Sequence, residues 1–467
     1  MKRSYRIRIG ILAGVFLLAG VLWLWYSSLP RSGTSPNVII ISVDTMRADH
    51  LGLYGYSRDT SPNLDAFASE ALVFDQAIAQ APFTLPSVAS IFTSQYPSAN
   101  GLLDTSYRLA PSKLTIAETL SQYGYQTAAF VGDGELQGSF GINQGFDRYI
   151  DQGGVSLKET IPLALRWLER DRTGKFFLFL QGFDVHAPYW KPGPYNALFA
   201  DPEYRGILAD SARYWLDYAL TSKNPRAVLD NIKKLNGAPV LVEDNGTRIP
   251  LTQEDIEYIV ASYDGGVRYT DNLIAGFFDE LKQLGLFDNS IIIVLAGHGE
   301  SLGDILKRSH PSTDGLNVIG HGQVYDELVR APLLMKVPGF ESSRVSSQVQ
   351  LIDLFPTILD FLKIPQSRQV RANIQGESLL PLLKGEQEEN PDSYAFGEGE
   401  GGALRFVRTP FWKLIVRGEN MFELYHLQED SGETTSMYLG QSDVVGQLQD
   451  VLANQYLENL QIKSRNP

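Results

Sequence analysis

The sequence predicts an α/β fold in which the strands of a sheet alternate with helices along the chain. Short apolar runs rich in β-branched residues recur through the sequence, and stretches with helical periodicity separate them. This alternation is typical of βαβ units, whose helices cover the faces of the sheet. The chain has 467 residues, of which 43% are hydrophobic, so it can bury a large core. We therefore expect one large α/β domain with a smaller appended unit.

The first element is an almost unbroken apolar segment at residues 9–26, whose length matches the thickness of a bilayer core. Basic residues precede it, and aromatic residues stand at its other end, as they do at membrane interfaces. A cleaved signal peptide is the alternative, but residues 27–31 show no small-x-small cleavage site. We expect a single-pass anchor over residues 1–29 in the cytoplasmic membrane and a linker at 30–36. The positive-inside rule then places the body outside the cytoplasm, in the bacterial cell envelope or beyond.

The elements of the body follow from hydrophobic periodicity and from turn residues. Predicted strands lie at 38–43, 126–131, 176–181, 291–296 and 333–337. Predicted helices lie at 64–70, 87–93, 115–123, 161–170 and 253–284, with a further amphipathic stretch at 349–362. We interpret residues 201–250 as a helical insertion over or beside the sheet, a place that often carries substrate selectivity. A polar linker near residue 385 separates a small C-terminal unit.

The amino-acid composition of the chain limits which kinds of ligand and partner it can bind. The formal net charge is -14, which does not suit binding to nucleic acid or to an anionic lipid surface. An anionic substrate would need a metal ion or local basic residues to offset this field. The chain contains no cysteine, so neither disulfides nor thiol chemistry contribute.

Two residues near the start of the body have the chemistry of a group-transfer site. Asp44 follows the strand at 38–43 directly, and ligands bind at the carboxyl ends of strands in open α/β sheets. It could instead be a helix N-cap. Thr84 precedes a Pro-Ser turn that should open a helix, where the positive end of the helix faces an anion. An ordinary helix-entry threonine is the alternative. A hydroxyl of this kind needs a metal or a base to become a nucleophile.

These residues belong to longer motifs. They are VDTMRADHLGLYGY from Val43, APFTLPSVAS from Ala81, DVHAPY from Asp184, AGHGE from Ala296 and GHGQVYDELVRAP from Gly320. In this order the motifs resemble those of the sulfatase family, part of the alkaline-phosphatase-like superfamily. The resemblance implies a central mixed sheet flanked by helices over residues 37–385 and a small antiparallel subdomain over 386–467.

The resemblance also implies the roles of individual residues. It makes Asp44, Thr84 and His298 ligands of one divalent cation, which would be Ca²⁺, Mg²⁺ or Mn²⁺. It makes Thr84 the nucleophile, with His186 and His321 contacting the ester and its leaving group. The expected substrate is then an anionic sulfate or phosphate ester, hydrolysed or transferred outside the cytoplasm. The oligomeric state is not predicted.

The chain departs from the family pattern at several positions. Sulfatases oxidise a Cys or Ser to formylglycine at the position of Thr84, and Thr cannot follow that route. Val88 replaces an Arg that normally stabilises the nucleophile, and Thr45 replaces a second acid. The largest departure is Gly297, which stands where a metal-binding acid precedes the histidine.

Two interpretations therefore remain open from the sequence. One is an enzyme with a rearranged metal site, in which an oxygen comes from Glu300, Asp304 or Asp264. The other is a catalytically degraded sulfatase fold that binds a ligand or acts as a scaffold in the cell envelope. A further open question is whether Gly297 has a backbone conformation that only glycine tolerates.

Overall fold

The computed structural model describes residues 35–189, 191–209, 231–242, 246–310, 313–386, 390 and 393–465. The segment from Asn37 to the C-terminus forms one compact unit. The membrane span predicted at 9–26 lies outside the described residues. Among the helices that the structure does describe, none is long and apolar enough to cross a bilayer.

Strands and helices alternate through the first two thirds of this unit. The strands are β1 (Asn37–Val43), β2 (Leu72–Ile78), β3 (Gln126–Val131), β4 (Arg148–Asp151), β5 (Phe176–Gly182), β6 (Ile232–Leu235), β7 (Ala238–Val242), β8 (Arg248–Pro250), β9 (Ser290–Leu295), β10 (Ser301–Leu302), β11 (Ile319–Gly320), β12 (Arg330–Ala331), β13 (Leu333–Lys336), β14 (Ser343–Gln350), β15 (Ala395–Glu398), β16 (Leu404–Arg408), β17 (Trp412–Arg417) and β18 (Met421–His426).

The α-helices vary from single turns to a helix of 31 residues. They are α1 (Pro62–Phe67), α2 (Thr84–Thr93), α3 (Pro97–Asn100), α4 (Ile116–Gln122), α5 (Leu157–Arg170), α6 (Gln253–Gln283), α7 (Asp326–Val329), α8 (Leu354–Phe361), α9 (Arg368–Asn373), α10 (Leu380–Leu383) and α11 (Ser442–Arg465). Three of them, α4, α5 and α6, begin with a capping box, whose N-cap residues are Thr115, Ser156 and Thr252.

The central sheet is mixed, as the resemblance implied. Its order is β12-β2-β13-β9-β1-β5-β3-β4, and β14 pairs in parallel with β2 in addition to this path. The strands β9, β1, β5, β3 and β4 run parallel, whereas β13 is antiparallel to both β9 and β2. Successive residues of β1 pack into two different hydrophobic cores, with Ile39 and Ile41 in one and Val38 and Ile40 in the other. The sheet is therefore covered on both faces, as parallel sheets require.

The C-terminal unit is a four-stranded antiparallel sheet in the order β15-β16-β17-β18, with helix α11 beside it. The expected antiparallel character of this region agrees with the structure. A small core that includes Phe396, Val407 and Leu414 joins this sheet to Ile352 of the main body.

Two predicted elements differ from the structure. The end of the insertion at 201–250 is not helical, because residues 232–235, 238–242 and 248–250 form the three-stranded antiparallel sheet β6-β7-β8. Residues 210–230 and 243–245 lie outside the described residues, so the helical prediction for the centre of the insertion is not tested. Strands β6 and β7 meet at a two-residue turn, Asn236 and Gly237, both with positive φ, which is the signature of a tight hairpin. The stretch 349–362 is not one helix either. Strand β14 runs to Gln350, which caps the next turn together with Asp353, and α8 begins only at Leu354.

Candidate active site at the carboxyl edge of the sheet

Four neighbouring parallel strands bring polar residues to one edge of the sheet. The strands β9, β1, β5 and β3 are adjacent, so their carboxyl ends lie side by side. Ligands bind at this edge in open α/β sheets. The residues that follow these four strands are Asp44 after β1, Asp133 and Glu135 after β3, His186 after β5, and His298 and Glu300 after β9.

Three of the predicted site residues, Asp44, Thr84 and His298, lie in mutual contact. The Thr84 hydroxyl donates to Asp44 Oδ1 at 3.2 Å, and Thr84 Oγ1 lies 3.4 Å from His298 Nε2. The third side of the triangle, from His298 Nε2 to Asp44 Oδ1, is also 3.4 Å. Donor atoms at these separations can all contact one cation with bonds of about 2.0–2.2 Å.

Thr84 owes its position to helix α2, of which it is the first residue. The N-cap residue is Phe83, which has no side chain able to cap the helix. The Thr84 hydroxyl is therefore not used as a cap and faces Asp44 instead. The N-terminus of a helix carries partial positive charge, which favours an anion beside Thr84.

His298 is held as a neutral imidazole whose Nε2 faces the triangle. Its Nδ1–H donates to the carbonyl oxygen of Gly299 at 2.8 Å, an assignment that leaves the lone pair on Nε2. The ring is completely buried, and burial, assisted by His321, lowers the pKa of His298 to about 3. A neutral histidine with a free Nε2 is the form that binds a metal.

Asp44 lies in a concentration of negative charge. Burial raises the pKa of Asp44 well above its ordinary value, and the carboxyl groups of Asp133, Glu135 and Glu300 raise it further. Of these carboxyl groups, Asp133 raises the pKa of Asp44 most. Asp44 Oδ2 is buried, and no hydrogen-bond partner for it exists among the described residues. Facing buried carboxyl groups need a shared proton or a cation, so this donor set fits a divalent cation.

Asp133 and Glu135 were missed from the sequence. The rule that selected Asp44 required an acid directly after a predicted strand, and Asp133 follows the strand at 126–131 after one intervening residue, Gly132. Asp133 is completely buried, and its Oδ1 accepts a hydrogen bond from the backbone N–H of Glu135. That bond fixes the carboxylate at the start of the turn that follows β3.

Thr45, the residue after Asp44, has a strained backbone. Its φ is +54°, a left-handed conformation that a β-branched residue rarely adopts. The Thr45 carbonyl accepts a hydrogen bond from the Tyr263 hydroxyl at 2.8 Å, and the same hydroxyl accepts one from the Arg47 N–H. These buried hydrogen bonds thus stabilise the strained backbone conformation of Thr45, and strain of this kind is common at functional sites.

The loop after β9 contains Gly297, whose backbone conformation does not require glycine. Gly297 is outside the positive-φ region, and a Cβ added there would meet Ser87 Oγ at 3.3 Å. The missing acid is not supplied by Asp264 or Asp304. Asp264 is paired with His50, Arg58 and Tyr56, and Asp304 is paired with Arg47.

The remaining predicted residues, His186 and His321, line a neighbouring cavity of about 340 Å³, to whose lining Asp44, Thr84 and His298 do not contribute. The ring of His321 lies 5.1 Å from that of His298 and 5.3 Å from that of His186. Glu300 lines the same cavity and accepts from His321 Nδ1 at 3.1 Å. The insertion contributes Asn231 and Lys233 to the wall, and further acids come from Glu135 and Glu400.

The family follows from a comparison with known sequences. The sequence profile of the sulfatase family matches residues 36–364, and that of the C-terminal part of N-sulphoglucosamine sulphohydrolase matches residues 320–462. The chain therefore belongs to the sulfatase family, and it is an ester hydrolase of that family.

The relatives are distant. An ulvan-active sulfatase of Formosa agariphila is 25% identical over 81% of this chain and 69% of its own length. An N-acetylglucosamine-6-O-sulfatase of Bacteroides thetaiotaomicron is 24% identical over 86% of this chain and 82% of its own length.

Solved structures share the fold. The phosphonate monoester hydrolase of Agrobacterium radiobacter matches with a TM-score of 0.70 and 20% identity, over 91% of this chain and 96% of the other. A protein solved in complex with its substrate D-glucosamine-2-N,6-O-disulfate matches with a TM-score of 0.68 and 21% identity, over 91% of this chain and 99% of the other.

Proposed function

We propose that this protein is a divalent-cation-dependent hydrolase of phosphoryl or sulfate monoesters that uses Thr84 as its nucleophile. The observation that carries the proposal is the contact of the Thr84 hydroxyl with both Asp44 Oδ1 and His298 Nε2, at the positive end of helix α2. The cation would be held by Asp44, Thr84 and His298, and Asp133 would supply the acid that is missing at Gly297. When bound, such a cation supplies Lewis acidity that lowers the pKa of a coordinated hydroxyl.

The residues of the chain account for both half-reactions. The Thr84 oxygen attacks the phosphorus or sulfur atom, the bond to the leaving oxygen breaks, and the hydroxyl proton passes to Asp44, its hydrogen-bond acceptor. The leaving oxygen takes a proton from the solvent. Water then attacks the same atom and releases one proton to the solvent, the bond to the Thr84 oxygen breaks, and the Thr84 hydroxyl recovers its proton from Asp44. His186 and His321 face the cavity on the side where the leaving group would stand.

Within this class, the nucleophile favours phosphoryl esters. A threonine forms an ordinary enzyme-bound ester, so the central atom has to accept a second attack, by water. Formylglycine, which avoids this second attack, cannot form at Thr84. Sulfate esters remain candidate substrates, because the similar proteins include sulfatases. Phosphonate monoesters are a further candidate, because a phosphonate monoester hydrolase shares the fold.

The cavity supports a leaving group rich in hydrogen-bond donors. Its volume of about 340 Å³ is at the small end for a ligand site, enough for the ester and one ring. The side chains of Glu135, Glu300 and Glu400 make the lining of the cavity acidic. The insertion contributes one basic side chain to this lining, that of Lys233. Hydroxyl or amino groups, as in a sugar, suit such a wall better than further anionic groups.

The proposal includes the location. An anchor at residues 9–26 with basic residues before it would hold the body outside the cytoplasm.

Hydrolysis of aryl phosphate, aryl phosphonate and aryl sulfate by the full-length chain in detergent tests the proposal. Thr84→Ala should lower kcat by about 10³-fold or more, whereas Thr84→Ser, which keeps a hydroxyl, should retain measurable turnover. The order of kcat/KM over the three esters decides the substrate class. Full activity of Thr84→Ala, or no turnover of any ester by the unaltered chain loaded with Ca²⁺, Mg²⁺, Mn²⁺ or Zn²⁺, would overturn the proposal.

A further inference from the structure

A second group of ligand-type side chains lies beside the first. His186, Glu300 and His321 each offer one ligand atom, and these atoms all lie within 4.8 Å of one another. None of the three belongs to the Asp44–Thr84–His298 triangle. They line the cavity from three separate segments, which follow β5, β9 and β11.

His186 is oriented in the way that metal-binding histidines are. Its Nδ1–H donates to the carbonyl oxygen of Ala187 at 2.8 Å, an assignment that puts the lone pair on Nε2. The ring stacks on Phe183 with 4.1 Å between centroids, which fixes its plane. A backbone acceptor on Nδ1 sets the tautomer that binds a metal through Nε2.

Glu300 provides an independent indication. Its side chain is completely buried, and Oε1 is engaged by His321 Nδ1. Its other oxygen, Oε2, is buried without a hydrogen-bond partner in the described part of the chain. A buried carboxylate oxygen without a partner carries a large desolvation cost, which a cation in contact with it would offset.

We propose that His186, Glu300 and His321 hold a second divalent cation, beside the one assigned to Asp44, Thr84 and His298. Two imidazoles and one carboxylate form a ligand set that suits Zn²⁺ or a similar borderline cation, and it leaves a coordination position open towards the cavity. This inference rests on the proposed function in one respect, which is that the cavity beside this cation receives the ester. There it would meet the charge of an anionic substrate that the acidic wall alone would repel.

Cation stoichiometry of the full-length chain in detergent tests this proposal. The chain is stripped with a chelator and reloaded with Zn²⁺ or Co²⁺. Bound metal is then counted by plasma mass spectrometry, and the Co²⁺ absorption bands report the ligand geometry. We expect two equivalents in the unaltered chain and one in His321→Ala, His186→Gln and Glu300→Gln. Asp44→Asn should lose the other equivalent, and Asp44→Asn combined with Glu300→Gln should lose both.

Two controls separate a lost ligand from a lost fold. His426→Ala should keep two equivalents, because this histidine is about as exposed as His321, 19% against 22%, but lies against Trp412 in the C-terminal sheet. Glu300→Gln preserves volume, and its far-ultraviolet circular dichroism should match that of the unaltered chain. Two equivalents in all three cluster variants would overturn the second site. So would a single equivalent in the unaltered chain that Asp44→Asn removes.

The other outcomes keep the two proposals distinguishable. A single equivalent that His321→Ala removes and Asp44→Asn leaves would support the second site and overturn the first. Thr84→Ala should lose ester hydrolysis and keep the equivalent held by the cluster. Full hydrolysis by Thr84→Ala, with cluster metal still lost in His321→Ala, would overturn the proposed nucleophile alone.

Discussion

The hydroxyl of Ser87 donates a 2.6 Å hydrogen bond to the carbonyl oxygen of Gly297. This bond joins the first turn of helix α2, which begins with Thr84, to the loop that carries His298. Both residues are buried in the interior of the site region. A Cβ added at Gly297 would meet Ser87 of this helix. The resemblance to the sulfatase family implied an acid at this position, and the two predictions that follow concern this loop.

Gly297→Asp should raise the affinity for a divalent cation by roughly tenfold or more, since it adds a carboxylate oxygen beside Asp44 and His298. The φ of Gly297 is not positive and allows the change, and the Ser87 hydroxyl, which would lie 3.3 Å from an added Cβ, has to shift by a few tenths of an ångström. Isothermal titration with Mn²⁺ or Zn²⁺ measures the effect, with Gly297→Ala as the control for the added Cβ. Hydrolysis should rise with affinity and be lost again when Thr84→Ala is added. Equal affinities of the Asp and Ala variants would contradict the prediction.

Gly299→Ala should destabilise the protein by about 2 kcal/mol, whereas Gly297→Ala should stay within about 1 kcal/mol of the unaltered chain. A Cβ at Gly299 would stand 2.0 Å from the backbone oxygen of Glu327, which cannot move without displacing helix α7. Urea unfolding followed by tryptophan fluorescence measures both variants. Equal midpoints for the two alanine variants would show that the close approach at Gly299 is relieved without cost.

The stability of the protein should fall between pH 5 and 7 through the titration of Asp353. Burial raises the pKa of Asp353 to about 7, opposed by hydrogen bonds from the N–H groups of Glu377 and Gln350. Because the folded-state pKa lies above the unfolded value of 3.8, the folded state binds the extra proton, and the stabilisation is lost as pH rises towards 7. Relative to Asp353→Asn, the unaltered chain should lose about 1 kcal/mol per pH unit in this window. Urea midpoints of the two proteins at pH 5, 6, 7 and 8 measure the difference, and parallel curves would refute it.

Protease added to intact spheroplasts of a bacterial expression host should digest the body of the protein. We expect this because the basic residues before the proposed span at 9–26 stay inside and the remainder is exported. Immunoblotting against a C-terminal epitope follows the digestion, and a cytoplasmic marker protein should survive it. A body that is cleaved only after detergent is added would place it in the cytoplasm.

Much of the central sheet was predictable because its parallel strands are continuous apolar runs. The run at 126–131 coincides with β3, and the run at 38–43 differs from β1 by one residue. Strand β2 was not predicted because Asp75 and Gln76 interrupt its apolar pattern, as expected near the antiparallel side of the sheet. The hairpin of β6 and β7 was missed although Asn236-Gly237 is a strong turn signal.

The site was predicted where a residue directly follows a parallel strand or stands in a family motif. The structure brings Asp44, Thr84 and His298 together, and it places His186 and His321 on the cavity side. Sequence could not decide which acid replaces the one missing at Gly297. Asp264 and Asp304 are engaged by basic side chains from distant segments, a relationship that only the folded chain reveals. Asp133, by contrast, lies one residue beyond the position that the rule for Asp44 considered, and it was overlooked.

The arrangement of the four parallel strands also has a consequence for how the protein matures. Thr84 is 40 residues from Asp44 and 214 residues from His298 along the chain. Strands β1 and β9, which precede Asp44 and His298, are interior members of one sheet. Contacts this distant along the chain form late in folding, so a nascent or partly folded chain has no cation site to fill. A cation bound as we propose would therefore be acquired only after the sheet closes and would not template the fold. Cation supply should therefore set how much of the protein is active and leave the rate of folding unchanged.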